Sequence, residues 1–325
     1  MPATSGSSLA YKRVTVTVTW PDMGGVAPVT SQTLLTPPGG TYDPNDGHIL
    51  VQLFDRDALP LGGQTVSISG PQSASQTTTA DGCAFFAYLD PGTYTVTLPS
   101  STYVDRQGNR PATQAAGVTA SQITKVQFDY DEAATLSVGL VAPSLAVIPS
   151  GIAMTVANSN LTVGTKSFSQ AATGSGTTRT ITPLFPYASG YQVWAGDCAD
   201  ADPAAYTGGS RGAVLASNPA ATTSGSANLD AVDVTVRFST LLGLPVPNAT
   251  IAATHAAGTG CTSGNTLTTT TRTDANGKLR LALPYGTWTI RATGTALPYT
   301  GRTGTATITL DPVSSTVPTL TVVVV

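Results

Sequence analysis

The sequence predicts an all-β protein of tandem antiparallel β-sandwich domains, preceded by a β-hairpin. Charged residues make up only 10% of its 325 residues, whereas an average soluble domain has about 25%. Threonine alternates with valine, as in VTVTVTW at 14–20, which is typical of a half-buried strand. A turn-and-strand phrase, LDPGTYTV at 89–96, returns as LPYGTWTI at 283–290 and more loosely as LFPYASGYQV at 184–193. One architecture used repeatedly would explain these three copies.

The residues around each phrase give the domain boundaries. In the first copy, HILVQLFD reads as a strand, and CAFFAYL and TYTVTL read as a hairpin across Pro91 and Gly92. The last copy repeats this order with VDVTVRF, KLRLALP and TWTIRA, whereas the middle copy lacks the Asp-Gly turn and is more divergent. We therefore expect a hairpin at 1–45 and sandwiches at 46–132, 133–229 and 230–325, each of about seven strands.

The alternation also predicts which side chains face inward. In the hairpin, Val14, Val16, Val18 and Trp20 are expected to face a core, with the intervening threonines in water. In the repeated phrase, the Pro-Gly bend is followed by Tyr94 or Trp288, which we expect to lie between the two sheets. The bend would then serve to bury an aromatic ring.

Charge and length exclude several classes of partner. The net charge of −3 provides no basic surface for nucleic acid or anionic lipid. Residues 1–20 contain no apolar signal-peptide core, and no stretch approaches the length of a membrane span. We expect Met1 to mark a start within a longer protein.

The cysteine arrangement favours at most one disulfide and no cofactor. Cys83 lies in the apolar strand CAFFAYL and is expected to be a buried free thiol. Cys198 and Cys261 lie in turn-like loops and are the disulfide candidates if the chain is exported. Whether they pair stays open, because sequence separation does not give the distance that a disulfide requires. There is no CxxC, and only two histidines are present, so a zinc site is not predicted.

Catalytic residues are not predicted anywhere in the chain. Cys261 and His255 are six residues apart and could be imagined as nucleophile and base. However, we expect both to be exposed loop residues without a third group that would orient the histidine. His48 stands at the start of the first predicted strand of its domain. The chain contains no GxSxG, HExxH or phosphate-binding loop, so we predict a protein that is not an enzyme.

Acidic residues in the DCADAD segment are the weak candidates for a metal site. Asp197, Asp200 and Asp202 supply the oxygen ligands that Ca²⁺ prefers, but their spacing matches no EF-hand loop. The alternative, which we favour, is that these side chains initiate turns by accepting hydrogen bonds from nearby backbone.

Aromatic residues around the middle copy form the candidate ligand patch. Tyr187, Tyr191 and Trp194 cluster there, and stacking on such rings is one way of binding a sugar. Alternation places Tyr191 and Val193 on one face of the strand and Trp194 on the other, so we expect one face in the core and leave the other as the candidate exposed face. Packing in the core is favoured over a glycan-binding surface, and both readings stay open.

Two families resemble parts of this chain. PLGGQTVSISG at 60–70 with TTTADGCAFFAYLDPGTYTV at 77–96 resembles a carboxypeptidase regulatory-like domain, a prealbumin-like or Ig-like sandwich related to the B-type repeats of Gram-positive surface adhesins. YKRVTVTVTW at 11–20 and LFPYASGYQVWAGDCADADP at 184–203 resemble the ectodomains of prepilin-type, type IV minor-pilin-like proteins of Gram-positive bacteria with GC-rich genomes. The resemblance covers nearly the whole chain. It implies that residues 1–45 are the closing hairpin of a truncated pilin head.

The resemblance implies an extracellular, cell-surface protein. It would be a structural segment of a pilus-like appendage, a stalk or a tip, whose partners are other pilin subunits or surface proteins. It would contact the membrane only through a missing N-terminal helix. Two alternatives stay open: an adhesin that recognises a glycan or host protein, and accessory domains of a secreted hydrolase. B-type repeats often carry a Lys–Asn isopeptide bond, but the predicted first strands contain no lysine, so none is predicted.

Overall fold

The computed structural model describes residues 12–20, 29–35, 43, 45–174, 176–239, 242–255, 261 and 266–325. Within these residues the chain is all-β apart from one four-residue helix and two short 3₁₀ turns, so the predicted fold class is confirmed. The chain divides into two compact units: unit 1 is Met1–Ser101 with Arg110–Tyr130, and unit 2 is Thr102–Asn109 with Asp131–Val325. The boundaries of the four predicted domains remain a prediction.

The elements follow in chain order. The strands are β1 Lys12–Val18, β2 Val29–Leu35, β3 Gly47–Phe54, β4 Thr65–Ser69, β5 Ser73–Thr77, β6 Cys83–Leu89, β7 Gly92–Leu98, β8 Tyr103–Asp105, β9 Ala112–Val118, β10 Ile123–Glu132, β11 Ala134–Val141, β12 Met154–Ala157, β13 Thr165–Phe168, β14 Thr178–Leu184, β15 Gln192–Ala195, β16 Thr222–Asn228, β17 Asp230–Phe238, β18 Thr250–His255, β19 Thr266–Thr268, β20 Lys278–Leu283, β21 Gly286–Thr293, β22 Thr303–Leu310 and β23 Thr319–Val324. The helix α1 is Gln170–Thr173, and the 3₁₀ turns are Ala199–Ala201 and Pro203–Ala205.

Unit 1 contains a β-sandwich. One sheet includes the strand order β6-β3-β10, and the other has the order β5-β4-β7-β9. From Ile49 onward every second side chain of β3 is buried, with Ile49, Val51 and Leu53 fully inaccessible, and Tyr94 and Val96 of β7 are equally buried. This is the pattern that a strand with one solvent-facing side produces. Cys83 is a free thiol, but it is half-buried rather than fully buried.

The hairpin of unit 1 does not have the core that the alternation predicted. β1 and β2 pair antiparallel from Lys12↔Leu35 to Val18↔Val29. Val16 and Val18 are each about half exposed, and Trp20 is 44% exposed, so the expectation that they face a core is wrong for the described residues. The pair forms a two-stranded sheet, and among the described residues no further strand joins it or extends it.

Unit 2 contains four sheets, with the strand orders β14-β11-β16, β13-β12-β15, β20-β17-β23 and β19-β18-β21-β22. Their buried apolar side chains form one continuous cluster, in which Leu136 and Val156 of the middle repeat belong with Val234 and Trp288 of the last repeat. Burial of apolar surface contributes about 25 cal/mol per Å² to stability. The middle and last repeats are therefore stabilised together.

The same strand pairing occurs three times along the chain. β3 pairs antiparallel with β6 and parallel with β10. β11 pairs antiparallel with β14 and parallel with β16, and β17 pairs antiparallel with β20 and parallel with β23. In each case the parallel partner is the last strand of that repeat. The first and last strands of every repeat are thus joined side by side in the same direction.

Candidate functional site: the joint between Cys198 and Cys261

Within unit 2, backbone hydrogen bonds connect the middle repeat to the last one. The Val147 amide donates to the carbonyl of Arg280 at 2.9 Å, and the Ala282 amide donates back to the carbonyl of Val147 at 2.9 Å. The Ser150 amide donates to the carbonyl of Thr268 at 3.0 Å. These bonds extend β20 and β19 with a segment from the other repeat.

A disulfide joins the same two repeats. Cys198 follows β15 and precedes the first 3₁₀ turn, and Cys261 follows β18. Their sulfur atoms are bonded, their Cα atoms lie 4.0 Å apart, and they are 63 residues apart in sequence. These are the two loop cysteines that the sequence offered as a pair. In an oxidising compartment such a bond persists.

His255 is packed against this disulfide. Its Nδ1 lies 3.4 Å from Sγ of Cys261, and its ring meets the Trp288 ring edge-on with centroids 4.8 Å apart. The side chain of His255 is 1% exposed. The expectation of an exposed loop histidine was therefore wrong, because His255 is the last residue of β18 and its side chain lies on the buried face.

Asp200 reaches His255 from the other repeat. Oδ1 of Asp200 lies 3.0 Å from Nε2 of His255, at ion-pair distance although without regular hydrogen-bond geometry. The second carboxylate oxygen accepts a hydrogen bond from the Thr287 amide at 3.1 Å. The histidine therefore does have an orienting carboxylate, which sequence reasoning missed. Asp200 lies on a 3₁₀ turn and His255 on a strand of another repeat, so no local motif connects them.

The turn glycine of the last phrase makes this approach possible. Gly286 has a φ of +118°, and a Cβ atom there would lie 2.5 Å from Nε2 of His255 and 2.9 Å from Oδ2 of Asp200. Both the backbone conformation and the close approach require glycine. Gly286 of the repeated phrase thus forms part of the joint, by which we mean the site made by Cys198, Asp200, His255 and Cys261.

The three candidate metal-binding carboxylates do not converge on one point. Asp200 faces His255, whereas Asp202 accepts from Nε of Arg211 at 2.9 Å. This hydrogen bond raises the pKa of Arg211 above its usual range. Asp197 is buried, with Oδ1 3.8 Å from Sγ of Cys198. The reason is local: the three side chains leave the 196–203 turns toward different neighbours, His255 for Asp200, Arg211 for Asp202 and Cys198 for Asp197. Among the described residues, the ligand atoms that do come together belong to Cys198, His255 and Cys261, all within 4.8 Å of one another.

The predicted aromatic patch is not on the surface. Tyr187, Tyr191 and Trp194 are 5%, 1% and 4% exposed. The Tyr187 hydroxyl donates to the carbonyl of Arg106 at 2.6 Å, and the Tyr191 hydroxyl donates to the carbonyl of Phe185 at 2.8 Å. Burial raises the pKa of Tyr191.

Trp194 is buried because β15 is covered on both of its faces. On the Trp194 side, its ring packs with Ala157, Cys198 and Ala201. The guanidinium of Arg211 lies 4.8 Å from the ring centroid. The expected division into one core face and one exposed face therefore does not apply to this strand.

The solved structures that resemble this chain do so at low sequence identity. No protein-family model and no curated protein matches the chain. Among solved structures, the Bacillus anthracis TIE protein is 12% identical, over 91% of this chain and 53% of that protein, with a TM-score of 0.27. The chain thus spans about half the length of that protein. BcpA, the major pilin subunit of Bacillus cereus, is 11% identical over 85% of this chain and 99% of that one, with a TM-score of 0.24.

A second pilin gives similar values. The minor pilin GBS52 of Streptococcus agalactiae is 12% identical over 57% of this chain and 95% of that one, with a TM-score of 0.27. Separately, the part of the chain that the structure describes has no helix with the length and apolar character needed to cross a bilayer.

Proposed function

We propose that this chain is a non-enzymatic structural component of an extracellular pilus-like appendage, a stalk or tip segment that carries tension between neighbouring subunits. The observation that carries this proposal is the parallel pairing of first and last strands in each repeat. A pull on the start of the first strand and the end of the last strand acts in opposite directions along the two strands. The hydrogen bonds between them are then loaded together in shear rather than broken one after another.

The registers give the extent of this shear contact. β3 and β10 pair from His48↔Ile123 to Phe54↔Asp129, and β11 and β16 pair from Thr135↔Thr222 to Val141↔Asn228. Parallel ladders have evenly spaced bonds, so the load is distributed along the whole register. The disulfide of unit 2 supports the extracellular part of the proposal, because such bonds persist in oxidising compartments. It also closes a loop that contains β16 and β17, so a pull on the chain ends passes through the bond, and the strands that we propose to bear load in shear are β3 and β10 of unit 1.

The pilin-like assignment and its partners, other pilin subunits or surface proteins, are part of this proposal. The proposal does not extend to adhesion, because the aromatic patch that was the candidate glycan surface is buried. Antibodies against the purified chain should label filaments or the outer surface of intact cells that express it natively. Labelling that appears only after the cells are permeabilised would refute an extracellular role.

Load bearing is tested separately by single-molecule pulling. When the protein is held by its two ends, unit 1 should unfold at a high force, because β3 and β10 separate in shear. The matched control moves the second handle to an Asp90→Cys change in a Cys83→Ser background. Leu89 pairs with Gly47 at the start of β3, so this geometry peels β6 from β3 one bond at a time. Equal unfolding forces in the two geometries would contradict the load-bearing role.

A further inference from the structure

We propose that Cys198, Cys261 and His255 form a redox-dependent Zn²⁺ site. In the oxidised protein the disulfide prevents metal binding, and after reduction the two cysteines bind the metal together with the histidine. This inference goes beyond the structural role proposed above. It starts from the three ligand atoms that lie within 4.8 Å of one another in unit 2. Two thiolates and one imidazole are a ligand set that proteins use for zinc, with the fourth position of the tetrahedron left open.

The positions of the atoms fit this metal. Bonds of about 2.3 Å to sulfur and about 2.0 Å to nitrogen separate those two ligand atoms by about 3.5 Å in a tetrahedral Zn²⁺ site. Nδ1 of His255 is already 3.4 Å from Sγ of Cys261. The Cα atoms of the two cysteines are 4.0 Å apart. The two sulfurs, bonded here, must separate to about 3.8 Å to share a tetrahedral Zn²⁺ at about 2.3 Å from each.

Asp200 and Trp288 hold the histidine in the ligand orientation. A carboxylate 3.0 Å from Nε2 favours the tautomer with its proton on that nitrogen, which leaves the lone pair of Nδ1 directed at the cysteines. Metal-binding histidines usually have a carboxylate at the second ring nitrogen, and here the carboxylate of Asp200 lies at ion-pair distance from that nitrogen. The Thr287 amide fixes this carboxylate, and the Trp288 ring restrains the rotation of the imidazole. Asp200 thus acts as a positioning residue and not as a ligand.

The reaction balances with a dithiol or a phosphine as the reductant. A phosphine supplies two electrons and takes the oxygen of one water molecule to become a phosphine oxide, and the two protons of that water complete the two cysteine thiols. A dithiol transfers two electrons and two protons to the disulfide, which gives two cysteine thiols and the cyclic disulfide of the reductant. Zn²⁺ then binds both sulfurs as thiolates and releases the two thiol protons. Because Cys198 and Cys261 belong to different repeats, the metal replaces one cross-link of the joint with another.

Cobalt titration of the reduced protein tests the site. Cys83→Ser protein is reduced with a phosphine, desalted without oxygen and titrated with Co²⁺, whose thiolate charge-transfer and visible bands report tetrahedral sulfur ligation. We expect one Co²⁺ per chain, displaced by Zn²⁺, and none in the oxidised protein. Cys261→Ser or His255→Phe should abolish the thiolate-rich spectrum or weaken binding at least 100-fold. Asp200→Asn should weaken binding about 10- to 100-fold.

The controls separate ligation from folding. Asp202→Asn changes a carboxylate of the same segment as Asp200, but this carboxylate binds Arg211 and not His255. The Co²⁺ affinity of this variant should stay within about twofold of that of the parent. Circular dichroism is recorded at each step. If reduction loosens unit 2, stoichiometric Zn²⁺ should restore the native spectrum. The proposal is overturned if the reduced parent binds no stoichiometric Co²⁺, or if tight binding survives in Cys261→Ser.

Discussion

Tyr94 and Trp288 make the same hydrogen bond at equivalent positions of the repeated phrase. The Tyr94 hydroxyl donates to the carbonyl of Asp90 at 3.0 Å, and Nε1 of Trp288 donates to the carbonyl of Pro284 at 2.8 Å. In the middle copy the Tyr191 hydroxyl donates to the carbonyl of Phe185. Each acceptor directly follows the leucine that opens its phrase. The repeated phrase therefore buries an aromatic ring and gives its polar atom a partner within the same bend.

Removing one of these hydrogen bonds should cost little compared with removing the ring. Tyr94→Phe keeps the buried ring and loses only the bond to the Asp90 carbonyl, so we expect the free energy of unfolding of unit 1 to fall by about 1 kcal/mol. Tyr94→Ala also leaves a cavity between the sheets, and should cost about 3 to 5 kcal/mol. Urea unfolding followed by circular dichroism measures both. Equal losses for the two variants would show that the hydroxyl, and not ring burial, dominates.

Gly286→Ala should destabilise unit 2 through a clash in addition to backbone strain. The new Cβ would meet His255 and Asp200, and the positive φ adds its own penalty, so we expect a loss of about 2 to 4 kcal/mol. Gly301→Ala is the matched control, because Gly301 has a φ of +77° and a Cβ atom added there would meet no other atom within 4 Å. Its free energy of unfolding should fall only by the cost of the backbone strain, about 1 to 2 kcal/mol. Thermal unfolding of both variants distinguishes the two contributions, and equal losses would mean that the contact with His255 is unimportant.

The disulfide should contribute substantially to the stability of unit 2. Replacing both Cys198 and Cys261 by serine frees a loop whose ends are 63 residues apart, for which the chain-entropy relation gives a loss of about 4 kcal/mol. Denaturant titration of the oxidised parent and the double variant gives the difference. Cys83→Ser, which changes a free thiol in unit 1, should alter stability by less than about 0.5 kcal/mol. A double variant as stable as the parent would contradict the assigned bond.

The strands and their inward faces could be predicted from the sequence because a strand has a local period of two residues. The expectation that Tyr94 and Trp288 lie between the sheets is confirmed, with exposures of 0% and 2%. The same rule was wrong for Trp194 and for Val16, for a reason that is not local. Alternation tells which side chains share a face, but what covers that face depends on the rest of the chain.

The joint could not be predicted for the same reason. His255 lies at the end of a strand and Asp200 on a turn of another repeat, and only the packing of unit 2 brings them to 3.0 Å. The cysteines were recognisable as a candidate pair because both lie in turn-like loops. The one signal for the histidine was its place six residues before Cys261, which by itself gives neither burial nor a carboxylate partner.

Acid should destabilise unit 1 through His48. This residue lies within β3, is 3% exposed and accepts a hydrogen bond from the Tyr88 amide through Nδ1 at 3.1 Å. Burial lowers the pKa of His48 below its usual value of about 6.5, so the unfolded chain binds this proton more readily than the folded one. The stabilisation by the neutral imidazole is therefore complete above about pH 6.5 and is lost as the pH falls toward the lowered pKa. His48→Asn keeps an acceptor for the Tyr88 amide and removes the titration, so its urea midpoint should change less between pH 7.5 and pH 5 than that of the parent. The urea transition that belongs to unit 1 is identified as the one that Tyr94→Phe shifts. If the midpoints of the parent and of His48→Asn change with pH in parallel, His48 is not the cause.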